Sequence, residues 1–354
     1  MLENYKIVCC TAAGRMRYMQ YIFPYVLTSD IVDRYDLWVN TTNMEDIECF
    51  KLLAAKYPKI NLIWQPDGIV NGVSTINAFY RFCMDADTIY IKIDDDIVWM
   101  QPDAIDRMVR FRIDHRDAFL VTPMVVNNPM SSYIWQCKGV LKYANYRRAL
   151  SGDKMLWKRG AFALELHRYF LGIMEHDSES YRRLHVGTVP EACNRFGINF
   201  ILWFGSDLAP LKGNIPGDDE EFLSSVMAPR SGRVNYFDGD TLIAHFAFNS
   251  QRAVLDRTDI LQRYGRLCEQ LFAASAPMQQ VWQQVQASMQ DIAARRSEIA
   301  QMACPYPIVR KSLYEQMRQK FKFHQKLNTY RWERLKGIRY TVEEGYIFEN
   351  VKGR

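Results

Sequence analysis

The sequence has no apolar run long enough to cross a bilayer, and its first residues lack the basic start and apolar core of a secretory signal. Its eight cysteines are scattered. They show neither the CxxC spacing typical of metal sites nor the paired framework of a small secreted domain. No fixed-period repeat is present. We therefore expect a cytoplasmic protein with reduced thiols.

The composition is that of a soluble globular protein, with 48% hydrophobic and 24% charged residues in a chain of 354. This length suffices for one large domain or two. The net charge of +5 is unevenly distributed, because residues 310–339 carry ten lysines and arginines against two glutamates. The rest of the chain therefore carries a net −3, which describes a mildly acidic body with a basic tail.

Strand-like and helix-like segments alternate through the first hundred residues. Helical spacing of apolar residues follows Asn43, a favourable N-cap, and ends at Pro58. Such alternation is typical of α/β proteins and predicts a Rossmann-type, mostly parallel sheet flanked by helices. The expected strands are residues 6–12, 35–41, 60–66 and 88–93, and the expected helices are 15–27, 43–58 and 73–86, with Ser74 a possible cap.

The second half of the chain begins with a predicted helix at 102–115 and a strand at 119–126, followed by a basic, loop-like region at 127–160. Strand or loop segments at 199–204 and 241–248 flank an acidic helix start at 217–227. From residue 257 the apolar spacing is helical throughout. We therefore predict a domain of residues 1–255 and a helical, basic C-terminal appendage of residues 256–354.

Three consecutive aspartates follow the fourth predicted strand, in the stretch TIYIKIDDDIVWM. In extended chain Asp94 and Asp96 project to one side and Asp95 to the other. Carboxylates at the carboxyl end of a strand suit Mg²⁺ or Mn²⁺ shared with a substrate diphosphate. The alternative is a solvated strand end whose aspartates cap the helix beginning near Pro102.

In this context the segment resembles the GT-A superfamily of nucleotide-sugar-dependent glycosyltransferases, whose DxD motif ends a strand of the nucleotide-binding half. Asp94 to Asp96 match that motif, and Asn77 and Arg81 match the Asn and Arg that precede it. The resemblance covers residues 6–248. It also involves Thr11 to Arg15 at the end of the first strand and Asp67 just past the third strand. It implies a nucleotide site formed by Thr11, Arg15, Asp67, Asn77, Arg81, Asp94 and Asp95.

The resemblance implies two further roles. An acid at 217–222 would deprotonate the acceptor hydroxyl in an inverting enzyme, and Asp218 and Asp219 are the candidates. Acids in the first turn of a helix also simply complement its dipole. A late histidine, His245, would join Asp94 and Asp96 as third ligand to Mn²⁺ or Mg²⁺, although a lone histidine beside apolar residues is often a core residue.

The basic tail interleaves its cations with aromatic residues, a composition that suits an anionic membrane surface. We expect peripheral attachment to the inner face of the cytoplasmic membrane. Nucleic acid binding or packing on the body are the alternatives. The helix predicted at 278–299 is a candidate seam for a homo-oligomer.

Together these features predict a metal-dependent glycosyltransferase. It would move a sugar from a nucleotide diphosphate-sugar, expected to be a UDP-sugar, to a glycan or lipid-linked glycan in bacterial polysaccharide or lipopolysaccharide assembly. No nucleic-acid partner is expected in this interpretation. The alternatives are a nucleotidyltransferase using the same acidic metal site and a non-enzymatic nucleic-acid-binding protein acting through the tail.

Overall fold

Strands and helices alternate along the chain in the computed structural model, which describes residues 2–144, 154–191, 194–307, 313–336 and 341–345. Parts of the basic tail, at 308–312, 337–340 and 346–354, lie outside the described residues. The strands are β1 Lys6–Ala13, β2 Arg34–Val39, β3 Ile60–Trp64, β4 Thr88–Ile93, β5 Ile97–Met100, β6 Ala118–Val126, β7 Leu141–Ala144, β8 Thr188–Glu191, β9 Phe200–Phe204, β10 Val234–His245 and β11 Thr341–Glu344.

Helices cover most of the remaining described chain. The α-helices are α1 Met16–Met19, α2 Ile22–Thr28, α3 Met44–Lys56, α4 Ala104–Asp114, α5 Pro129–Cys137, α6 Lys154–Lys158, α7 Gly160–His176, α8 Gly205–Leu208, α9 Asp219–Glu221, α10 Met227–Arg230, α11 Asn249–Leu255, α12 Ile260–Ala273, α13 Ala276–Ala294, α14 Arg296–Ile299 and α15 Leu313–Leu335. Short 3₁₀ helices span Gly72–Phe82, Ser180–Leu184 and Ala209–Leu211, and a π-helical turn spans Phe222–Val226.

One large sheet runs in the order β3-β2-β1-β4-β9-β6-β10-β5, with β8 paired to β10 beside this path. The first four strands are parallel to one another, and β6 is parallel to β10. Strands β9, β5 and β8 run antiparallel to their neighbours, so the sheet is mixed. The α/β class, with a Rossmann-type sheet flanked by helices and a helical C-terminal part, is confirmed.

The sheet must curl, because β4 and β5 lie four places apart in its order but only three residues apart in the chain. Four spacings of about 4.8 Å in a flat sheet would separate them by ~19 Å. The four chain steps from Ile93 to Ile97 reach only ~14 Å. The curl therefore brings the β5 edge round to β4, and the residues joining them, Asp94 to Asp96, lie where the two halves of the sheet converge.

Local structure follows the sequence patterns with two corrections. The Asn43 side chain caps α3 by accepting a hydrogen bond from the Glu45 N–H, as predicted. The segment expected as an α-helix at 73–86 is instead the 3₁₀ helix Gly72–Phe82, and Ser74 donates to the Asn71 carbonyl rather than capping it. The region predicted to be a loop at 127–160 contains α5, β7 and α6. In it, Asn128 caps α5 by accepting from two backbone N–H groups.

The helices after residue 255 pack against the sheet domain. The apolar faces predicted for α12 and α13 belong to the same buried core as the strands. Trp282 of α13 stacks on Tyr21, with ring centroids 5.7 Å apart. The apolar face of α13 is therefore covered within the chain and is not free to form a seam with a second copy. The division at residue 255 remains a prediction.

The last long helix, α15, contacts the body through α11. Its carboxyl-terminal half is anchored by the buried residues Leu327 and Glu333, and Glu333 forms an ion pair of 2.9 Å with Arg159. Its amino-terminal half is exposed. Among the described residues, no helix has the length and apolarity needed to cross a membrane.

Candidate functional site

The three aspartates form a turn between β4 and β5. The Asp94 N–H donates to the Asn199 carbonyl at 2.8 Å, and the Ile97 N–H donates to the Asp94 carbonyl at 3.2 Å. Asp95 and Asp96 are buried, whereas Asp94 is partly exposed. A strand follows the aspartates, and α4 begins only at Ala104. The alternative in which they cap a helix near Pro102 is therefore wrong.

Asp96 contacts three basic side chains. Its Oδ2 accepts from Arg252 Nη2 and forms an ion pair with Arg15 Nη1, both at 3.1 Å, and its Oδ1 lies 3.2 Å from His245 Nε2. Arg15 also donates through Nε to Asp95 at 2.9 Å. Burial by itself would raise the pKa of Asp96, but the charges of Arg15, His245 and Arg252 outweigh it and hold that pKa well below its usual range. Asp96 is therefore a carboxylate.

Asp94 is held from its two sides. Lys92 Nζ lies 2.5 Å from its Oδ1, and Asn199 Nδ2 donates to its Oδ2 at 3.0 Å. Burial lowers the pKa of Lys92, yet the charges of Asp94 and Asp219 outweigh this effect and raise it above its ordinary value. A buried ammonium thus fixes the orientation of Asp94, as outer partners of metal-ligating carboxylates commonly do.

Asp94, Asp96 and His245 form the group of potential metal ligands found among the described residues, with one donor atom from each within 4.8 Å of the others. The 3.2 Å between His245 Nε2 and Asp96 Oδ1 is close to the edge of an octahedron with ligands at ~2.1 Å, about 3.0 Å. His245 Nδ1 is buried and has no hydrogen-bond partner in the described chain, whereas its Nε2 faces the Asp96 carboxylate. Two carboxylates and an imidazole fit Mn²⁺ or Mg²⁺.

The predicted acids at 217–222 differ in their surroundings. Asp218 is exposed and caps α9, accepting from the backbone N–H groups of Glu220 and Glu221. Its other oxygen accepts from Arg195 at 2.8 Å. Arg195 also pairs with Glu220, where burial is the main influence and raises the pKa to about 7. Asp218 therefore already has a structural role at the helix start.

Asp219 points inward from the same turn. The Tyr80 hydroxyl donates to its Oδ2 at 3.0 Å. Burial raises the pKa of Asp219, while Lys92 and Tyr80 act in the opposite direction and Asp94 adds to the rise. The charges of Lys92 and Asp94 therefore act on the Asp219 carboxyl.

The other residues predicted to bind a nucleotide lie in separate environments. Arg15 and Asp95 are at the acidic turn. Thr11 is fully buried in β1, and its hydroxyl is 3.0 Å from that of Tyr35. Asp67 and Arg81 form an exposed ion pair at 2.8 Å, with half of each side chain accessible.

Asn77 links the nucleotide side of the predicted site to the acidic helix start. Its Nδ2 donates to the carbonyls of Ile215 and Gly217 at 2.7 and 2.9 Å. It thereby ties the 3₁₀ helix to the segment that presents Asp218 and Asp219. Its role as a nucleotide ligand, like that of Thr11, Asp67 and Arg81, remains a prediction.

Four residues of the site are missing from the sequence prediction: Lys92, Asn199, Tyr80 and Arg252. Lys92 had a local signal, because it stands two residues before Asp94 and so shares its face of the strand. Arg252 has no such local signal, because 156 positions separate it from Asp96 in the chain. Asn199 and Tyr80 likewise reach the site through tertiary contacts.

Comparisons with known proteins leave the family open. No protein-family model matches the sequence, and no curated protein does. Among solved structures, a CMP:2-keto-3-deoxy-manno-octonic acid synthetase complexed with CTP overlaps at 10% identity and TM-score 0.41, covering 75% of this chain and 99% of that one. A mycobacterial protein overlaps at 12% identity and TM-score 0.39, covering 75% of each chain.

A further structure is the 4-diphosphocytidyl-2C-methyl-D-erythritol synthase of Anaerococcus prevotii DSM 20548. It overlaps at 12% identity and TM-score 0.27, over 35% of this chain and 56% of its own length. The chain thus spans little more than half of that enzyme. Overlaps with such low TM-scores carry no inference about activity.

Proposed function

We propose that the protein is a metal-dependent glycosyltransferase that moves a sugar from a nucleotide diphosphate-sugar to a hydroxyl of a glycan or lipid-linked glycan, in bacterial polysaccharide or lipopolysaccharide assembly. The observation that carries the proposal is the convergence of Asp94, Asp96 and His245 with Arg15 and Arg252 at one turn. Potential ligands for a hard cation and two guanidinium groups together match a cation–diphosphate pair.

In this proposal Asp94, Asp96 and His245 hold Mn²⁺ or Mg²⁺. The bound cation would offset the negative charge that develops on the departing diphosphate. Arg15 and Arg252 share the Asp96 carboxylate and are each partly exposed, so their guanidinium groups can also face phosphate oxygens. Lys92 and Asn199 keep Asp94 oriented without contacting the substrate.

Asp219 is the better of the two candidate bases in an inverting reaction. The acceptor oxygen would form a bond to the anomeric carbon as the bond from that carbon to the diphosphate breaks. The hydroxyl proton would pass to a carboxylate. Asp218 caps a helix and pairs with Arg195, whereas Asp219 accepts from Tyr80 and has a pKa raised by burial, which makes its carboxylate more basic.

The reaction is tested by its products. The full chain, supplied with MnCl₂ and UDP-, GDP-, CDP- and ADP-sugars in turn, is expected to release a free nucleoside diphosphate from one of them. A nucleotidyltransferase would instead release pyrophosphate from a nucleoside triphosphate and a sugar phosphate. Pyrophosphate release, with no nucleoside phosphate formed from any nucleotide sugar, would contradict the proposal.

We further propose that the outer face of α15 docks on an anionic membrane surface. Six cations lie on this helix against Glu315 and Glu333, which gives it a positive charge. Helical geometry places its most exposed apolar residues in one stripe opposite the buried side. A cationic helix with such a stripe suits the interface of an anionic bilayer. The stripe consists of Leu313, Tyr314, Met317, Phe321, Trp332 and Leu335, each more than half exposed.

Vesicle flotation tests this docking. The wild-type protein is expected to float with vesicles containing phosphatidylglycerol and to remain in solution with pure phosphatidylcholine. Met317→Ser/Phe321→Ser is expected to reduce flotation, whereas Val73→Ser/Phe82→Ser, which changes two exposed apolar residues elsewhere, should not. Equal flotation of the α15 variant and the wild type would refute this role of the helix.

A further inference from the structure

A cavity of about 580 Å³ lies between the edge of the sheet and α15. Its inner wall is the loop at 40–42, which follows β2, and the loop at 70–72, which follows β3. Its outer wall is the exposed half of α15, including Arg318 and Lys322. The volume is that of a small-molecule site, and the carboxyl ends of parallel strands are where α/β sheets bind ligands.

The cavity adjoins the acidic turn through Gly14. A Cβ atom added to Gly14 would lie 3.3 Å from Thr41 Cβ, which is on the cavity side, and 3.8 Å from Asp95 Oδ2. The Gly14 backbone, directly after β1, thus lies between Thr41 and Asp95. A ligand held in the cavity therefore lies next to the metal-binding turn.

Positive charge runs from the cavity towards Asp96. Within the part of the chain that the structure describes, Arg318 and Lys322 have no ion-pair partner, although Glu315 also lines the cavity. Lys326, one turn beyond Lys322, donates to the Asn249 carbonyl at 3.4 Å.

Burial lowers the pKa of Lys326, and the nearby charges of Lys322 and Arg252 lower it further. Lys326 reaches α11 through the Asn249 carbonyl, and the same helix carries Arg252, which contacts Asp96. Arg318 and Lys322 line a cavity of this size and have no ion-pair partner among the described residues, which suits a phosphorylated ligand.

We infer that α15 is part of the donor site: Arg318 and Lys322 bind the nucleoside diphosphate portion of the donor and close the outer side of its pocket. This inference rests on the proposed function. It assigns the two faces of α15 different tasks, because Arg318 and Lys322 lie on the side facing the sheet and the apolar stripe lies on the other. The sheet and the acidic turn then supply only the inner half of the pocket.

The experiment measures nucleotide binding by the full chain without vesicles. Titration calorimetry with UDP, GDP, CDP and ADP, each in the presence of MnCl₂, is carried out on the wild type and on Arg318→Gln/Lys322→Gln. The double variant is expected to bind the preferred nucleotide about tenfold more weakly, as suits the loss of two solvent-accessible charge contacts. Its affinity should also depend less on salt.

Two controls separate a binding role from a structural one. Arg110→Gln/Arg230→Gln removes the same charge from exposed positions on α4 and α10, which contact β6, and is expected to bind like the wild type. Arg318→Lys/Lys322→Arg keeps both charges on α15 and should retain most of the affinity.

Each remaining outcome is decisive. If the wild type binds a nucleotide and the Gln double variant binds it equally well, this inference is refuted and the proposed function stands. If the wild type binds none of the four nucleotides, both are refuted.

Discussion

The substitution Asp96→Asn tests the centre of the site, because it removes one charge while preserving the shape of the side chain. In the wild type this carboxylate lies between Arg15 and Arg252, whose side chains are 31% and 25% exposed, while Asp96 itself is 4% exposed. Removing one partner of a buried ion pair costs about 3–5 kcal/mol. Arg15 keeps Asp95, and both arginines reach solvent, so we expect a loss of about 3 kcal/mol.

The same substitution should abolish the response to metal. A ligand at a hundred times its Kd stabilises the native state by about 2.7 kcal/mol. The wild type is therefore expected to gain roughly this much from Mn²⁺ together with its nucleotide. Asp96→Asn should gain little, because a neutral amide oxygen is a much weaker ligand for a hard cation than a carboxylate.

Thermal unfolding with and without MnCl₂ and nucleotide measures both effects. Without ligand the midpoint of Asp96→Asn should fall by roughly 4 °C. Asp114→Asn, an identical exchange at an exposed position of α4, should match the wild type in both respects. Full Mn²⁺-dependent stabilisation of Asp96→Asn would refute the assignment of this residue as a metal ligand.

Three other predictions concern the base, a buried acid and a close backbone contact. Asp219→Asn should lower kcat at least a hundredfold with little change in donor Kd, measured by product release and calorimetry; unchanged kcat would exclude it as the base. Burial raises the pKa of Asp46 to about 6, so its folded-state pKa exceeds the unfolded value of about 3.9. Relative to Asp46→Asn, wild-type stability in urea titrations should therefore fall by about 2 kcal/mol from pH 4 to 7; parallel pH profiles would contradict this. Gly205→Ala should unfold at lower urea concentration, because its Cβ would lie 2.1 Å from the Asp85 carbonyl oxygen; Gly172→Ala, with open space around it, is the control.

The metal-ligand set shows how far residue patterns lead. Asp94 and Asp96 could be paired from the alternation of side chains along an extended strand, and their donor atoms are brought together in the structure. The resemblance to a family predicts His245 as the third ligand, and in the structure His245 lies beside Asp96. Its position depends on β10 pairing with β5, a contact between strands more than 130 residues apart.

The nucleotide residues show the limit of the same reasoning. Thr11 ends up in the core because β1 is a central strand covered on both faces, and a sequence pattern does not tell which side of such a strand faces a ligand. Asp67 and Arg81 are 14 residues apart and pair with each other at the surface. Two charged residues that are each predicted to bind a ligand can therefore form an ion pair with each other in the folded chain.

The sequence by itself determined the α/β class, the four parallel strands, the cap at Asn43 and the position of the acidic turn at a strand end. These features depend on the spacing of apolar residues and on contacts between near neighbours in the chain. Only the tertiary structure decided that antiparallel strands complete the sheet, that the sheet curls, and that Arg252 reaches Asp96. It also decided that α15 lies over the cavity beside the turn. Each of these rests on pairings between distant segments, whose energies arise from packing and charge contacts that no local pattern encodes.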